Sequence, residues 1–215
     1  VYLYGTTDVT VTGNTSNNIL ASSRYGGQAT LIGGLGNDNY ILQQSVNGNL
    51  RWDHSLVELP NQGTDRVTIV RTSVGGQGAT VVTYTLLDDF EELNLGQAYN
   101  VNGVGNALNN NLYGAYVTAV NTGNPGTLAG LTGNDLYRIE NPLTRVIEAA
   151  GEGTDTVEAV VDARLSANVE HIRALQAGSQ RNVLVNLFGN ELDNTVTGWV
   201  GYNRLDGGQG NDTMA

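Results

Sequence analysis

The sequence has no cysteine and no lysine, and it has only three prolines and one methionine among its 215 residues. Without cysteine the chain can form no disulfide and no thiolate metal site. Without lysine it has no Schiff-base nucleophile, and all ten basic residues are arginines. No segment approaches the run of roughly 18 apolar residues that a membrane-spanning helix needs. We therefore expect no membrane insertion.

Positive charge is also scarce, since the formal net charge is −11 and the pI is about 4.4. Such a chain repels nucleic acid and anionic lipid, and it attracts cations. The abundant residues are 29 glycines and 26 asparagines, both of which favour tight turns. With 40% hydrophobic residues, the chain can still bury a core and is not expected to be disordered.

Four kinds of segment recur along the chain in the same order. The first has the pattern G-N-x-x-[N/D]-N, the second contains Gly-Asn-Asp, the third contains Gly-Thr-Asp and the fourth carries a glutamate. The first kind occupies 13–22, 105–114 and 189–198, and the second occupies 31–41, 128–138 and 205–215. The third occupies 57–67 and 147–157, and the fourth occupies 85–95 and 164–174. The long repeats span approximately 1–95, 96–175 and a partial 176–215. This pattern predicts one continuous segment, 1–215, excised from a longer repeat protein.

Within each long repeat, turn signals return about every 20 residues and enclose short β-branched or aromatic stretches. This spacing predicts an all-β fold, a right-handed parallel β-solenoid or β-roll of roughly 20-residue coils. Tyr40, Val67, Leu136 and Val157 are expected to point inward. A β-sandwich with glycine-rich turns is the alternative.

Two stretches depart from this spacing. The step from Asp38 to Asp65 is longer by about seven residues, which predicts a protruding loop around 47–54. The segment 162–175 could form one or two helical turns.

The glycine-rich loops point to a family. Segments 33–41 and 207–215 fit the nonapeptide G-G-x-G-x-D-x-U-x, in which U is a large apolar residue, and 130–138 departs only at Leu131. The chain thus resembles the RTX, or haemolysin-type calcium-binding, family. Its nonapeptides are sparse, however, whereas RTX toxins and proteases carry them in tandem. It is more similar to the sparse form found in very large bacterial surface proteins.

This resemblance implies that turn carbonyls and the sixth-position aspartate bind Ca²⁺. Because Ca²⁺ takes six to eight oxygen ligands, one loop cannot fill its shell and a stacked partner loop is needed. We therefore expect Asp38 to face Asp65 and Asp135 to face Asp155, while Asp212 would pair with a loop beyond Ala215. The expected metal-binding residues are Gly33, Leu35, Asp38, Gly63, Asp65, Gly130, Thr132, Asp135, Gly151, Gly153, Asp155, Gly207, Gln209 and Asp212.

Other acidic residues have two interpretations each. Glu58 and Glu148 lie seven residues before a loop aspartate and either reach the metal or are solvated at strand ends. Asp193 either belongs to a weaker site or caps a turn, and turn capping is the interpretation we favour. The acidic group Asp88, Asp89, Glu91 and Glu92 resembles an acid pair for glycoside cleavage, but a solvated turn is the simpler interpretation.

These features predict a calcium-stabilised structural module of a secreted bacterial surface protein: a surface layer, a giant adhesin or an extracellular filament. Neighbouring copies of the chain or cell-surface polysaccharide are the expected partners besides calcium, and nucleic acid is not. Because no catalytic motif is present, we expect no enzyme. The alternative is an RTX module attached to a secreted protease, lipase or polysaccharide-modifying enzyme. A polysaccharide lyase built on the solenoid itself is disfavoured by the absence of lysine.

Overall fold

The computed structural model describes residues 7–22, 27–43, 54–70, 81–98, 100–116, 124–176, 184–201 and 203–215. Every regular element in these ranges is a β-strand. The strands are β1 (Val9–Thr12), β2 (Ile19–Ala21), β3 (Ala29–Ile32), β4 (Asn39–Gln43), β5 (Ser55–Val57), β6 (Arg66–Val70), β7 (Val82–Thr85), β8 (Glu92–Asn94), β9 (Val101–Val104), β10 (Asn111–Tyr113), β11 (Thr127–Ala129), β12 (Leu136–Ile139), β13 (Arg145–Val146), β14 (Thr156–Ala159), β15 (Ala163–Arg164), β16 (His171–Ala174), β17 (Leu187–Phe188), β18 (Thr195–Thr197), β19 (Leu205–Asp206) and β20 (Thr213–Met214).

The ten even-numbered strands form one parallel sheet in strict chain order, from β2 to β20, which we call the long sheet. The odd-numbered strands form the opposite face as three shorter parallel sheets, β1-β3-β5, β7-β9-β11-β13 and β15-β17-β19. Each odd strand and the even strand after it therefore make one coil. The predicted all-β parallel solenoid is confirmed.

Coil length varies more than the predicted value of about 20 residues. Equivalent positions on successive coils are separated by 20, 27, 26, 19, 25, 20, 15, 24 and 18 residues. The longest step, from Asp38 to Asp65, contains the predicted loop around 47–54. Residues 44–53 lie outside the described ranges, and His54 is buried. Coils of different length can still pair because the extra residues lie between the strands.

The core runs between the long sheet and the opposite face. Tyr40, Val67 and Val157 are buried, as predicted, and they lie in one register of the long sheet. Leu136 was assigned wrongly: it is half-buried, and Tyr137 is the residue that is fully buried. Successive side chains of a strand point to opposite faces, so moving one position along β12 exchanges core for surface.

The helical turns predicted within 162–175 are also wrong. This segment contributes β15 and β16, and β16 pairs in parallel with β14. Ile172 and Ala174 are buried while Arg173 between them is exposed, which is the two-residue period of a strand. No helix in the described part of the chain is long and apolar enough to cross a membrane.

Coils approach each other most closely at the turns, where glycine is required. A Cβ atom built on Gly153 would lie 1.6 Å from the Gly133 carbonyl oxygen, and one on Gly63 would lie 1.9 Å from the Gly36 carbonyl oxygen. Gly151, by contrast, has a φ of +83° and open space around it. The third-segment turns thus need glycine at 63 and 153 because the neighbouring backbone leaves no room for a side chain.

We expect Gly153→Ala to destabilise the fold more than Gly151→Ala. The first substitution forces the stacked turns apart and should cost about 3 kcal/mol or more, at the upper end of what overpacking costs. The second substitution only forces alanine into a left-handed backbone conformation, which should lower the stability by about 1–2 kcal/mol. Urea unfolding of both variants measures the difference, and equal losses of stability would contradict the stacking described here.

Candidate metal centre

One position at the turn before each long-sheet strand carries a polar side chain on all ten coils. We call this row the turn column, and its residues are Asn18, Asp38, Asp65, Glu91, Asn110, Asp135, Asp155, Glu170, Asn194 and Asp212. The order Asn-Asp-Asp-Glu occurs twice and then begins again. The long repeat seen in the sequence is therefore a unit of four coils.

Hydrogen bonds join the turn column from coil to coil. The backbone N–H of Asp38 donates to Asp65 Oδ1 at 2.7 Å, and that of Asp135 donates to Asp155 Oδ1 at 2.8 Å. The backbone N–H of Asn110 donates to Asp135 Oδ1 at 2.7 Å. Each bond uses one carboxylate oxygen. The second oxygens of Asp38, Asp135 and Asp155 are buried without a hydrogen-bond partner.

A glutamate from the opposite side of the turn adds a third carboxyl to each aspartate pair. Asp38, Glu58 and Asp65 form the first acidic cluster, and Asp135, Glu148 and Asp155 form the second. Within each cluster one oxygen from every residue lies within 4.8 Å of the others. All six residues are buried, with exposures between 1% and 8%. Of the two interpretations of Glu58 and Glu148, the structure supports the one in which they join the loop aspartates.

Glycine and tyrosine line both clusters in the same way. A Cβ on Gly33 would lie 2.2 Å from Asp38 Oδ2, and one on Gly130 would lie 1.9 Å from Asp135 Oδ2. The Tyr40 hydroxyl contacts the Glu58 carboxyl, whereas the Tyr137 hydroxyl is buried without a partner. The first glycine of the nonapeptide is thus required because the carboxylate occupies the space of a side chain.

No arginine or histidine forms an ion pair with the acidic clusters among the described residues. Burial raises the pKa of Glu148 to about 8, and the Asp155 carboxylate adds to the effect. Burial likewise raises the pKa of Asp135 to about 7, of Glu58 to about 7 and of Asp65 to about 6. Three carboxyls this close cannot all be ionised unless a cation compensates their charge. Without a cation, at least one of them keeps its proton.

The clusters fit a hard metal ion. Their donors are carboxylate oxygens, with no thiolate or imidazole, and such donors suit Ca²⁺, Mg²⁺ or Mn²⁺ rather than zinc or copper. The buried oxygens of Asp135, Glu148 and Asp155 that lack a hydrogen-bond partner are free to bind an ion. The two clusters can therefore each hold one metal ion between neighbouring coils.

The other residues expected at the metal lie at different places in the turns. Leu35, Thr132 and Gln209 are exposed at the turn tips, and Gly151 faces open space. A Cβ on Gly207 would lie 2.1 Å from Asp212 Oδ2, which repeats the contact at Gly33 and Gly130. Asp212 itself is half-buried and belongs to neither cluster.

Three further acidic residues have structural contacts. Asp193 is exposed and accepts a hydrogen bond from the Asn211 backbone, as Asn17 does from Asn37, so it caps a turn. Glu92 forms an ion pair with Arg66, and Glu91 belongs to the turn column, where it accepts the Asp65 backbone N–H. Both glutamates are therefore engaged in contacts, whereas a general acid in an open cleft would be free to reach a substrate.

Part of the chain is similar to a curated protein. Over 75 residues it is 39% identical to the endo-1,3-1,4-beta-glycanase ExsH of Rhizobium meliloti (strain 1021), a match that covers 35% of this chain and 15% of that protein. No family model matches the chain, and no solved structure matches it. Membership of the RTX family therefore stays a prediction.

This relative is an enzyme by name, which overturns the prediction of a protein with no catalysis. That prediction rested on absent catalytic motifs. Glycoside cleavage needs only two carboxyl groups that the fold brings within about 5–10 Å of each other, and no fixed sequence spacing marks them. The absence of a motif was therefore weak evidence against this chemistry.

In a metal chelator, we expect the melting temperature to fall as the pH rises from about 5 to about 8. The pKa of Glu148 is about 8 in the folded chain against an ordinary value of 4.5, so folding retains a proton between these values. This contribution to the stability of the fold is fully present below pH 4.5, the ordinary pKa, and is lost as the pH rises through the folded-state pKa of about 8. Differential scanning calorimetry in EGTA measures this slope.

Glu148→Gln should flatten the slope, because the amide does not titrate. Glu140→Gln is the matched control, since Glu140 pairs with Arg138 away from both clusters. A melting temperature that rises between pH 5 and pH 8 in EGTA would contradict the buried, unpaired carboxyls described here.

Proposed function

We propose that the chain is a calcium-stabilised β-solenoid module of an exported bacterial protein. The observation that carries the proposal is the recurrence of three buried carboxyls at the same place in two successive four-coil units, with no ion pair to a described arginine or histidine. One ion in each cluster would tie together the second and third coils of the unit. The metal then contributes to the fold rather than to a reaction.

Calcium is the ion that these donors fit best. It accepts six to eight oxygens at about 2.3–2.6 Å in flexible geometry, whereas Mg²⁺ demands a tight octahedron and keeps its waters. Three carboxylates leave several positions open. Backbone carbonyls of the glycine-rich turns, expected from the sequence at Gly33, Leu35, Gly130 and Thr132, are the proposed further ligands.

Metal-dependent stability also suits a protein that works outside the cell. Extracellular calcium modules bind at about 10⁻⁴–10⁻³ M, so such sites are empty in the cytosol and filled outside. At a hundredfold excess over Kd, each ion stabilises the fold by about 2.7 kcal/mol. We therefore place the protein outside the cell, in the secreted fraction or at the cell surface.

For the whole protein, we propose a role in processing β-linked glycans. The supporting observation is the partial relationship to a protein named as an endo-1,3-1,4-beta-glycanase. Among the roles expected from the sequence, this relationship favours a module of a polysaccharide-modifying enzyme over a surface layer, adhesin or filament. Cell-surface or extracellular polysaccharide is then the proposed partner.

Millimolar calcium should raise the melting temperature by several degrees over EGTA, and magnesium should raise it much less. The acidic clusters repel themselves without an ion, and calcium removes this repulsion while linking adjacent coils. Circular dichroism melts at pH 9, above the raised pKa of about 8 of Glu148, give the comparison. Superimposable melts in calcium, magnesium and EGTA would mean that the clusters hold no metal ion.

Isothermal titration should find two calcium ions in the clusters, and a substitution in one cluster should abolish binding of one ion only. Glu58→Gln should remove one ion and Glu148→Gln the other, because each substitution takes a charged ligand from one cluster. Glu140→Gln removes the same charge from the surface and should leave both ions bound. Unchanged stoichiometry in the Glu58 and Glu148 variants would place calcium elsewhere.

Affinity electrophoresis tests the proposed partner. The calcium-loaded chain should be retarded in gels containing β-1,3-1,4-linked glucan, neutral or oxidised at C6 to the glucuronate form. Release of reducing ends from the same polymers reports hydrolysis. A chain that is retarded by neither polymer and cleaves neither would contradict the glycan role while leaving the calcium proposal intact.

A further inference from the structure

An open cleft of about 360 Å³ lies where the face opposite the long sheet is interrupted. Among the described residues, β13 pairs only with β11 and β15 pairs only with β17, so no ladder joins β13 to β15. The lining residues include Arg145 from one side of this break and Arg164 from the other. We call this feature the β13/β15 cleft. Its volume falls in the range of about 300–1,000 Å³ typical of ligand sites.

The arginines of the cleft differ from those of the long sheet. Arg66, Arg138 and Arg173 each form an ion pair with a glutamate. The Arg145 side chain forms no ion pair or hydrogen bond with any described residue. The Arg164 side chain contacts no carboxylate of the described residues either; it donates to the Gly189 carbonyl at 3.4 Å and lies over the Phe188 ring. In a chain of net charge −11, two arginines without carboxylate partners at one cleft provide a local site for an anion.

A buried polar atom also points to a ligand. Thr144 lines the cleft and is 8% exposed, yet its Oγ1 is buried and has no hydrogen-bond partner. Buried hydroxyls normally have a partner, because leaving one unpaired costs about 1–3 kcal/mol. A ligand hydroxyl or a carboxylate oxygen would supply that partner once the Thr144 side chain rotates to bring the buried Oγ1 to the cleft surface.

The cleft also contains a carboxylate, Asp162, which must be reconciled with an anionic ligand. Asp162 accepts hydrogen bonds from the backbone N–H of Asn186 at 2.8 Å and from Asn186 Nδ2 at 2.9 Å. Both of its oxygens are thus engaged by Asn186. The arginines outnumber it at the cleft, so the local charge is positive.

Apolar surface completes the lining. Phe188 pairs with Arg164 across the ladder, and the Arg164 guanidinium carbon lies 4.6 Å from the ring centroid. Pro142 belongs to the turn that also holds Thr144. A sugar ring presents C–H groups on its faces and hydroxyls at its edge, which match apolar residues beside hydrogen-bonding ones. Arginine binds carboxylates through two parallel hydrogen bonds.

We infer that the β13/β15 cleft binds a carboxylate-bearing sugar unit of a glycan, with Arg145 and Arg164 holding the carboxylate and Thr144 a hydroxyl. This inference rests on the proposed glycan role for its choice of a saccharide, and it adds the charge of the glycan and the place where it binds. It does not depend on the calcium sites.

The test is isothermal titration in millimolar calcium with a β-1,3-1,4-linked glucan oligosaccharide, neutral and oxidised at C6 to glucuronate. The oxidised form should bind at least tenfold more tightly than the neutral one. Arg145→Gln and Arg164→Gln should each weaken the oxidised form at least tenfold, because each removes one guanidinium. Arg138→Gln is the matched control and should leave the affinity unchanged, since Arg138 lies on the long sheet.

Both cleft arginines are exposed, so these variants should keep the wild-type calcium-dependent melting temperature, which checks that they fold. Equal binding of the two oligosaccharides, or unchanged affinity in both cleft variants, would overturn the inference. Binding of free glucuronate as tight as that of the oxidised oligosaccharide would overturn the assignment to a glycan. If the polymers retard the chain but the cleft variants change nothing, the cleft inference fails while the proposed glycan role stands.

Discussion

The structure depends on parallel stacking of its coils in register. When each strand pairs with the equivalent strand of the next coil, equivalent side chains lie directly above one another along the whole solenoid. At most positions this stacking brings apolar side chains together and builds the core. At the turn column it brings together Asn, Asp and Glu side chains. The Asp and Glu oxygens accept the backbone N–H of the preceding coil, and the Asn110 and Asn194 amides donate to backbone carbonyls of the preceding coil. The acids that cap the turns are therefore forced next to each other.

The four-coil unit concentrates this effect at one place. Asparagine and glutamate occupy the first and fourth coils of the turn column, and aspartates occupy the second and third. In the part of the chain that the structure describes, only there do two buried aspartates meet an additional glutamate, Glu58 or Glu148. The opposite face is also interrupted at a fixed point in the unit, between β5 and β7 and again between β13 and β15. The acidic clusters and the sheet breaks thus follow from the same repeat.

The features that depend on short-range sequence pattern were predictable from the sequence. Recurring Gly-Asn-Asp and Gly-Thr-Asp turns identified the coils and the pairing of Asp135 with Asp155. The spacing of Glu148 from Asp155 could not show whether its side chain turns inward, because that depends on the path of the chain between β13 and β14. Leu136 was named as the inward-pointing U position, although the nonapeptide aligned on 130–138 puts U at Tyr137, which is the residue that strand alternation buries. The β13/β15 cleft was not predictable, since it arises from a missing strand pairing.

A crystal structure of the chain grown in millimolar calcium would show directly whether the buried carboxyls of the two acidic clusters bind calcium between adjacent coils. We expect one ion in each cluster, with carboxylate oxygens of Asp135, Glu148 and Asp155 at about 2.3–2.6 Å in the second. Calcium bound only at the exposed turn tips near Thr132, or clusters that contain no ion at pH 8, would contradict calcium binding by the clusters.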